Sequence, residues 1–363
     1  MWRILRPDSA NVLKDKNART SLSRYFDVME NLKVAKFKIA RKLAANFNND
    51  DSTSNLWNTH HKLLKDFQKI EKRIDNHIIE YEAIETPPKS FLDLKIEISK
   101  RILKGCHFCT RRCGVDRTKN SLGYCKCGSQ ILVSTMFEHM GEEPELVPSG
   151  TIFTLGCTMR CLHCQNWTIS QWEERGEPYS ASRLSSAIED LRSNGCRNVN
   201  LVGGDPTPWL SQWLEVFKDV NANVPVVWNS NSYYSQETAR LLAGFIDIYL
   251  LDFKYGNNDC SRRISDAPEY WEACTRNHRY GAKYGELIIR ILVLPDHLHC
   301  CVHRTLKWIC KELGILTRTN LMFQYRPEWR AQEIPELKRS LSRSEKETVL
   351  RLARDAGLIN VVT

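Results

Sequence analysis

The sequence lacks the two features that would send a chain into or across a membrane. It contains no apolar run approaching the ~18 residues that a membrane span needs. Its beginning, MWRILRPDSANVLKD, has no apolar core of the kind found in a secretory signal peptide. These absences predict a cytoplasmic location. They also disfavour a secreted disulfide scaffold, which is usually short, so the fourteen cysteines among 363 residues need another explanation.

The cysteines are clustered rather than scattered. In a reducing compartment, clustering indicates metal or iron–sulfur ligation. The first group contains five cysteines and the second contains three: Cys106, Cys109, Cys113, Cys125 and Cys127, then Cys157, Cys161 and Cys164.

The net charge of +9 raises the question of an anionic partner. Much of the basic charge lies before residue 105, in runs such as KVAKFKIARK and KLLKDFQKIEKR, where it alternates with apolar residues at helical spacing. This pattern favours solvated helix faces over a nucleic-acid or other anion-binding surface. We therefore expect residues 1–95 to form a helical, basic N-terminal region, followed by a cysteine-rich metal-binding segment at 96–149.

From residue 150 to 363 the pattern changes to alternation. Short apolar or β-branched runs such as GTIFTLG, NVNLVGG and IDIYLLD alternate six times with segments of helical length. This order predicts an α/β fold with a parallel sheet, and six units favour a partial (β/α)6 barrel over a doubly wound open sheet. Polar residues cluster where each strand ends, which is where barrels of this kind carry their active sites.

Three cysteines follow the first of these strands, in GCTMRCLHC. A structural zinc site needs four ligands, the loop is too short to supply a fourth cysteine, and His163 would have to fold back to reach the metal. Three thiolates suit three corners of a 4Fe–4S cubane and leave the fourth iron open. The spacing therefore favours such a cluster over zinc or buried core thiols.

The C-x3-C-x2-C spacing, with a ring residue before the last cysteine, resembles the cluster motif of the radical S-adenosylmethionine (SAM) enzymes. The string GCTMRCLHCQN is similar to that of pyruvate formate-lyase activating enzyme and its uncharacterised homologues. The resemblance covers roughly residues 100–360 and includes the blocks HMGEEPELVPSGTIFTLGC, GGDPTP, VVWNSNSY, DIYLLDFKY and IRILVLPDHLHCC. Residues 1–95 are not covered.

The resemblance implies a radical SAM barrel and a reaction. Cys157, Cys161 and Cys164 would be the catalytic ligands of three irons, and the methionine part of SAM would chelate the fourth. One electron, from a reductase, flavodoxin or ferredoxin, would break the S–C5′ bond. The resulting 5′-deoxyadenosyl radical would remove a hydrogen atom from the substrate, expected to be a polypeptide that receives a glycyl radical.

The resemblance also implies SAM contacts at the ends of the following strands. GGDP resembles the family motif that binds the methionine amino group, with Asp205 in place of the commoner Glu. Other expected contacts lie near the ribose and the carboxylate of SAM or on neighbouring strands. The whole expected cofactor-binding set is Gly203, Gly204, Asp205, Asn229, Asn231, Asp252, Lys254 and Arg290. Two alternatives stay open, namely radical modification of RNA and a non-catalytic, metal-stabilised binding protein.

Two further groups contain possible metal ligands. Cys106, Cys109, Cys113 and Cys125 supply four ligands for a closed site, either an auxiliary iron–sulfur cluster or zinc, and Cys127 could replace Cys125. The string DHLHCCVH looks like another metal motif, but its position at the start of a helix favours packing and polar contacts for His297, His299, Cys300, Cys301 and His303. The single cysteines Cys196, Cys260, Cys274 and Cys310 are expected to be small apolar residues.

Overall fold

One nine-stranded sheet organises the chain in the computed structural model, which describes residues 2–363. Its spatial order is β3-β1-β2-β4-β5-β6-β7-β8-β9. The strands from β2 and β4 onward to β9 are parallel, whereas β1 pairs antiparallel with both β2 and β3. The strands are β1 (Leu132–His139), β2 (Ser149–Thr154), β3 (Glu177–Pro178), β4 (Asn198–Gly203), β5 (Val226–Ser230), β6 (Ile248–Asp252), β7 (Glu286–Leu292), β8 (Arg318–Met322) and β9 (Val361–Val362).

The helices fall into an N-terminal set and a crossover set. The N-terminal set is α1 (Trp2–Leu5), α2 (Pro7–Asn11), α3 (Lys16–Ser21), α4 (Ser23–Met29), α5 (Lys36–Lys42), α6 (Thr53–Asp75) and α7 (Phe91–Lys104). The helices that follow are α8 (Trp167–Ser170), α9 (Ala181–Ser193), α10 (Leu210–Val216), α11 (Gln236–Leu242), α12 (Asn258–Ser265), α13 (Tyr270–Tyr284), α14 (Arg304–Glu312) and α15 (Arg343–Asp355). A π-helix, Leu298–His303, leads directly into α14.

The predicted partial (β/α)6 barrel is confirmed, with β2 and β4 to β8 as its six strands. These strands read as continuous apolar runs because a parallel sheet is covered on both faces. Each connection carries helices, as parallel neighbours require. The structure adds β1 and β3 as an antiparallel edge, so part of the 96–149 segment belongs to the sheet.

Alternate residues of the central strands share the inner face of the barrel. On β5, β6 and β7 this face carries apolar side chains first and polar ones at the carboxyl ends. The apolar part packs against Leu22, Tyr25 and Phe26 of the N-terminal region. That region therefore closes the N-terminal end of the barrel. The apolar inner residues are Leu146, Val227, Ile248, Leu250 and Ile288.

The basic N-terminal run KVAKFKIARK packs against the rest of the chain. Lys36 is buried and pairs with Glu71, and Lys33 pairs with Asp27 at 3.0 Å. The other cations donate to carbonyl oxygens: Lys38 to Asn221, Arg41 to Val220 and Lys42 to Tyr81. These contacts show that the basic side chains of this run pack against the rest of the chain.

Among the helices of residues 2–363, none combines the length and the apolar character needed to cross a lipid bilayer.

Candidate active site

Three thiols converge on one cavity at the carboxyl end of the barrel. Cys157, Cys161 and Cys164 follow β2 and all line a cavity of about 300 Å³. Cys157 and Cys161 are buried and Cys164 is partly buried. The predicted loop thus presents its three sulfur atoms to the barrel interior.

The surrounding residues hold these thiols by weak hydrogen bonds. Asn231 Nδ2 and the Met159 amide each donate to Cys157 Sγ at 3.4 Å, and Ser170 Oγ lies 3.3 Å from Cys164 Sγ. Burial raises the pKa of Cys157 and Cys164, and it raises the pKa of Cys161 to about 11. A metal bound by these thiols would therefore have to displace their protons.

A chain of partly buried charges lines the same cavity. Asp252 accepts from Arg290 Nε at 2.9 Å and pairs with Lys254 Nζ at 2.7 Å. Burial alone would raise the pKa of Asp252, but Lys254 and Arg290 outweigh it and lower that pKa. Although burial opposes the charge, Asp252 raises the pKa of both cations. The cavity therefore holds a fixed carboxylate between two fixed positive charges.

Arg290 connects this chain of charges to residues that the sequence analysis missed. It donates to Asn229 Oδ1, and its NH1 lies 3.6 Å from Glu142 Oε2. Glu142 and Glu143 come from the connection between β1 and β2. Both residues precede a barrel strand, so they are not among the polar residues that follow the strand ends. The acidic pair in HMGEEPELVPSG is the only feature of the sequence that points to them.

Gly203 and Gly204 allow β4 to approach the cysteine loop. Gly203 has φ +149°, and a Cβ there would collide with the Thr154 backbone. A Cβ at Gly204 would collide with the carbonyl of Gly156. Both glycines also line the cavity, so the close contact between two strand ends leaves their backbone open to it.

Asp205 lies behind the cavity wall rather than on it. One carboxylate oxygen accepts from Ser230 Oγ at 3.0 Å and from the Asn231 amide at 2.9 Å, and the other accepts from the Thr207 amide at 2.9 Å. Asp205 thus fixes the loop after β5, including Asn231. A direct contact of its carboxylate with a cofactor stays a prediction.

His163 is a buried wall residue of the cavity. Its Nε2 lies 3.2 Å from the Tyr255 hydroxyl, which in turn lies 2.5 Å from Ser265 Oγ. Burial lowers the pKa of His163 to about 3, so the ring is neutral. It closes the cavity beside Cys161 and Cys164 without adding charge.

The first cysteine group lies next to the cysteine loop. Cys106 and Cys109 interact electrostatically with Cys125, and burial raises the pKa of Cys109 to about 12. A hydrogen bond from Cys127, aided by Arg117, outweighs burial and lowers the pKa of Cys125 to about 6. The buried Cys127 Sγ also lies within hydrogen-bond distance of the carbonyl oxygens of Cys125 (3.4 Å) and Leu155 (3.7 Å). Cys127 therefore contacts the base of the cysteine loop.

The donor set of the cysteine loop fits an iron–sulfur cluster. Its sulfur atoms face one cavity, which also contains a carboxylate and two cations. Ligands of one metal ion lie close together. Within residues 2–363, a set of at least three Cys, His or acidic ligand atoms that all lie within 4.8 Å of one another is found at Cys260, His297 and Cys300. The three loop thiols thus do not all lie within 4.8 Å of one another, which fits ligands of different irons better than ligands of one ion.

Comparisons with known proteins agree with this geometry. The family model described as "Radical SAM superfamily" matches residues 151–309. The chain is 41% identical to the uncharacterized protein MJ0674 of Methanocaldococcus jannaschii over 93% of this chain and 98% of that protein. It is 24% identical to the uncharacterized protein MJ0808 of the same organism, over 63% of this chain and 73% of that protein.

Solved structures with partial similarity include Streptococcus suis SuiB bound to its precursor peptide SuiA. That chain is 13% identical, with a TM-score of 0.42 over 56% of this chain and 46% of SuiB. Methylornithine synthase (PylB) is 15% identical, with a TM-score of 0.40 over 55% of this chain and 60% of PylB.

Proposed function

Because the chain belongs to the radical SAM superfamily, we propose that it is an iron–sulfur enzyme of the glycyl-radical activating type that acts on a polypeptide. The observation that carries the proposal is the single cavity that Cys157, Cys161 and Cys164 line together with Asp252, Lys254 and Arg290. The methionine part of SAM carries an ammonium and a carboxylate, and this cavity offers acceptors, cations and open glycine backbone for them.

The residues divide into two sets. Cys157, Cys161 and Cys164 would hold a 4Fe–4S cluster. SAM would lie against Gly203, Gly204, Asn229, Asn231, Asp252, Lys254 and Arg290, all of which line the cavity. Such a cluster would pass one electron, received from a flavodoxin, ferredoxin or reductase, to SAM, and this chemistry would supply methionine and a 5′-deoxyadenosyl radical able to take a hydrogen atom from the substrate. Lys254 and Arg290 orient the carboxylate of SAM, and His163 excludes water beside the cysteine loop.

The edge of β1 supports a polypeptide as the substrate. β1 pairs with β2 along most of its length but with β3 only at Leu132 and Val133. In the described chain, residues 134–139 thus have one edge without a strand neighbour. One end of β1, at Val133, lies opposite Thr154, directly before the cysteine loop, and His139 at its other end lines the cavity. An extended peptide that pairs with this edge therefore reaches the site.

The alternative of an RNA substrate finds less support. The run KVAKFKIARK, which suggested a basic surface, makes ion pairs and hydrogen bonds within the chain. These cations contribute less to phosphate binding than free ones would, because phosphate would have to displace their partners.

We also propose that Cys106, Cys109, Cys113 and Cys125 hold an auxiliary iron–sulfur cluster. Cys125 is favoured over Cys127 as the fourth ligand because Cys125 interacts with both Cys106 and Cys109. Iron counting on a Cys106→Ala/Cys109→Ala variant tests this proposal. Loss of iron supports a cluster, loss of zinc alone indicates a zinc site, and unchanged iron and zinc contradict both.

The radical step is tested by anaerobic reconstitution with iron and sulfide, followed by reduction with dithionite in the presence of SAM. We expect 5′-deoxyadenosine from the wild type and from Cys310→Ala, whose thiol lies on α14 outside the cysteine groups. Cys161→Ala should form none. Equal product from Cys161→Ala and the wild type would exclude this mechanism.

The substrate class is tested by following deuterium into 5′-deoxyadenosine. The reduced enzyme is given a nuclease-treated polypeptide extract from cells grown on α-deuterated glycine, or, separately, deuterated RNA. Deuterium from the polypeptide fraction supports the proposal. Deuterium from RNA alone would establish the RNA alternative instead.

A further inference from the structure

A second, tighter group of metal-ligand side chains lies outside the cavity. Cys260 comes from α12, after β6, whereas His297 and Cys300 come from the segment after β7. Their ligand atoms all lie within 4.8 Å of one another. Because β6 and β7 are neighbours, the loops that follow them meet at the same rim of the barrel.

The sulfur spacing matches the coordination shell of a single ion. Cys300 Sγ lies 4.0 Å from Cys260 Sγ and 3.9 Å from Cys301 Sγ. A tetrahedral ion with metal–sulfur bonds of about 2.3 Å separates its thiolates by roughly 3.8 Å. These distances are also far longer than an S–S bond of about 2.05 Å. Cys300 is therefore spaced from Cys260 and from Cys301 as one ligand is from another, and not as in a disulfide.

His297 is oriented to offer a lone pair to this group. Its Nδ1 lies 2.8 Å from the carbonyl of Pro295, which can only accept, so Nδ1 carries the proton and Nε2 is left free to ligate. Arg263 approaches Nε2 to 3.4 Å, but it is half exposed and is also paired with Glu336 at 2.5 Å. Its guanidinium can stay on Glu336 when a cation occupies the site.

Asn257 supplies the outer hydrogen bonds that thiolate ligands need. Its Nδ2 lies 3.3 Å from Cys260 Sγ and 3.7 Å from Cys301 Sγ, and it donates to the Cys300 carbonyl at 3.0 Å. At the neighbouring Gly256, a Cβ would lie 2.6 Å from the carbonyl oxygen of Cys301, so the two loops meet backbone to backbone. An amide directed at several sulfur atoms is typical of metal–thiolate sites.

We propose that Cys260, His297, Cys300 and Cys301 bind one divalent ion of the zinc class in a tetrahedral Cys3His site. The ion joins α12 to the π-helix and so fixes the two loops that follow β6 and β7. It is separate from both predicted iron–sulfur sites and independent of the radical reaction. Protein side chains would occupy all four coordination positions of the ion, as they do in structural zinc sites.

The test is metal analysis of the anaerobically reconstituted holoenzyme with zinc present. We expect Cys260→Ser, Cys300→Ser and His297→Gln each to lose one equivalent of zinc per chain while their iron content is unchanged. Cys310→Ser is the matched control, since its thiol is also partly buried but lies outside the group. Equal zinc in all four variants and the wild type would overturn the proposal.

Zinc absorption spectroscopy on the unmodified holoenzyme covers the case in which the variants fail to fold. A shell of one nitrogen and three sulfur atoms supports the site. A shell of sulfur alone assigns the zinc to the first cysteine group and overturns the proposal, as does a protein that takes up no zinc. A Cys260–Cys300 or Cys260–Cys301 disulfide, detected by mass spectrometry of the reduced holoenzyme, would overturn it as well.

Discussion

Asp252 is the carboxylate that the two partly buried cations of the cavity share. Lys254 pairs with one of its oxygens and Arg290 with the other. Removing one partner from a buried ionic group leaves uncompensated charge, which costs far more than an exposed pair contributes.

We therefore expect Asp252→Asn to lower the free energy of unfolding by about 3–5 kcal/mol. The control is Asp66→Asn, which removes an exposed carboxylate paired with Lys69 on α6 and should cost less than ~1 kcal/mol. Urea denaturation of the metal-free proteins measures both. Equal losses from the two substitutions would show that the cavity charges are solvated.

Glu286 at the start of β7 gives stability a specific pH dependence. Its carboxylate accepts from the amides of Arg24 (2.8 Å) and Tyr25 (2.6 Å) at the beginning of α4. Burial outweighs these bonds and raises the pKa of Glu286 from 4.5 to about 7. A carboxyl whose pKa is raised by folding binds more protons in the folded state, so its contribution to stability is present at low pH and declines as the pH rises through this interval.

We expect Glu286→Gln to remove this contribution. The free energy of unfolding of the wild type, relative to that of the variant, should fall between pH 4.5 and about 7. Urea titrations at several pH values within this interval give the two slopes. A wild type that gains stability relative to Glu286→Gln as the pH rises would contradict the direction of the shift.

At the scale of elements, the contact between β4 and the cysteine loop depends on Gly203. Gly203→Ala combines a left-handed backbone with a collision against Thr154, whereas Gly195 has a positive φ (+97°) and open space around it. We expect Gly195→Ala to cost about 1–2 kcal/mol for the backbone alone. Gly203→Ala should cost a further ~1–3 kcal/mol, measured by equilibrium unfolding. Equal costs would mean that β4 can move away from the loop.

The barrel strands were predictable from sequence, whereas the edge strands were not. Strands such as β6, covered on both faces, are continuous apolar runs with polar residues at their ends. β1 is half exposed and has no continuous apolar run of this kind. It also lies within a segment rich in cysteines and turn-forming residues. Its pairing with β2 follows from the approach of the two segments in space, which local sequence does not encode.

The same limit applies to side-chain clusters. Cys157, Cys161 and Cys164 lie on one loop, so their spacing alone predicts that they act together. Cys260 is isolated in the sequence and was expected to be a small apolar residue, yet it meets His297 and Cys300 because β6 and β7 are adjacent. Only the topology brings these residues together.

For the whole molecule, the N-terminal region and the barrel share one core. Phe26 is fully buried against the inner face of the barrel, and Arg24 joins α4 to Asp75 and Asp247. We therefore expect the region to unfold together with the barrel.

Phe26→Ala should accordingly lower the stability of the entire chain by about 3–5 kcal/mol in a single transition. Leu32→Ala is the control, because Leu32 is 62% exposed. Tryptophan fluorescence and circular dichroism during urea unfolding should give the same midpoint. Two separate transitions, with only one moved by Phe26→Ala, would show that the regions unfold independently.

The closed N-terminal end of the barrel has a kinetic consequence. Leu22, Tyr25 and Phe26 fill that end, so the proposed reactants would not enter through it but from the side of the cysteine loop and the charged residues. In a cavity that is closed at one end, a small molecule bound at depth is covered by a large one that arrives later. A nucleoside such as SAM would then have to bind before a polymer and could leave only after it, which is the behaviour of an ordered sequential reaction.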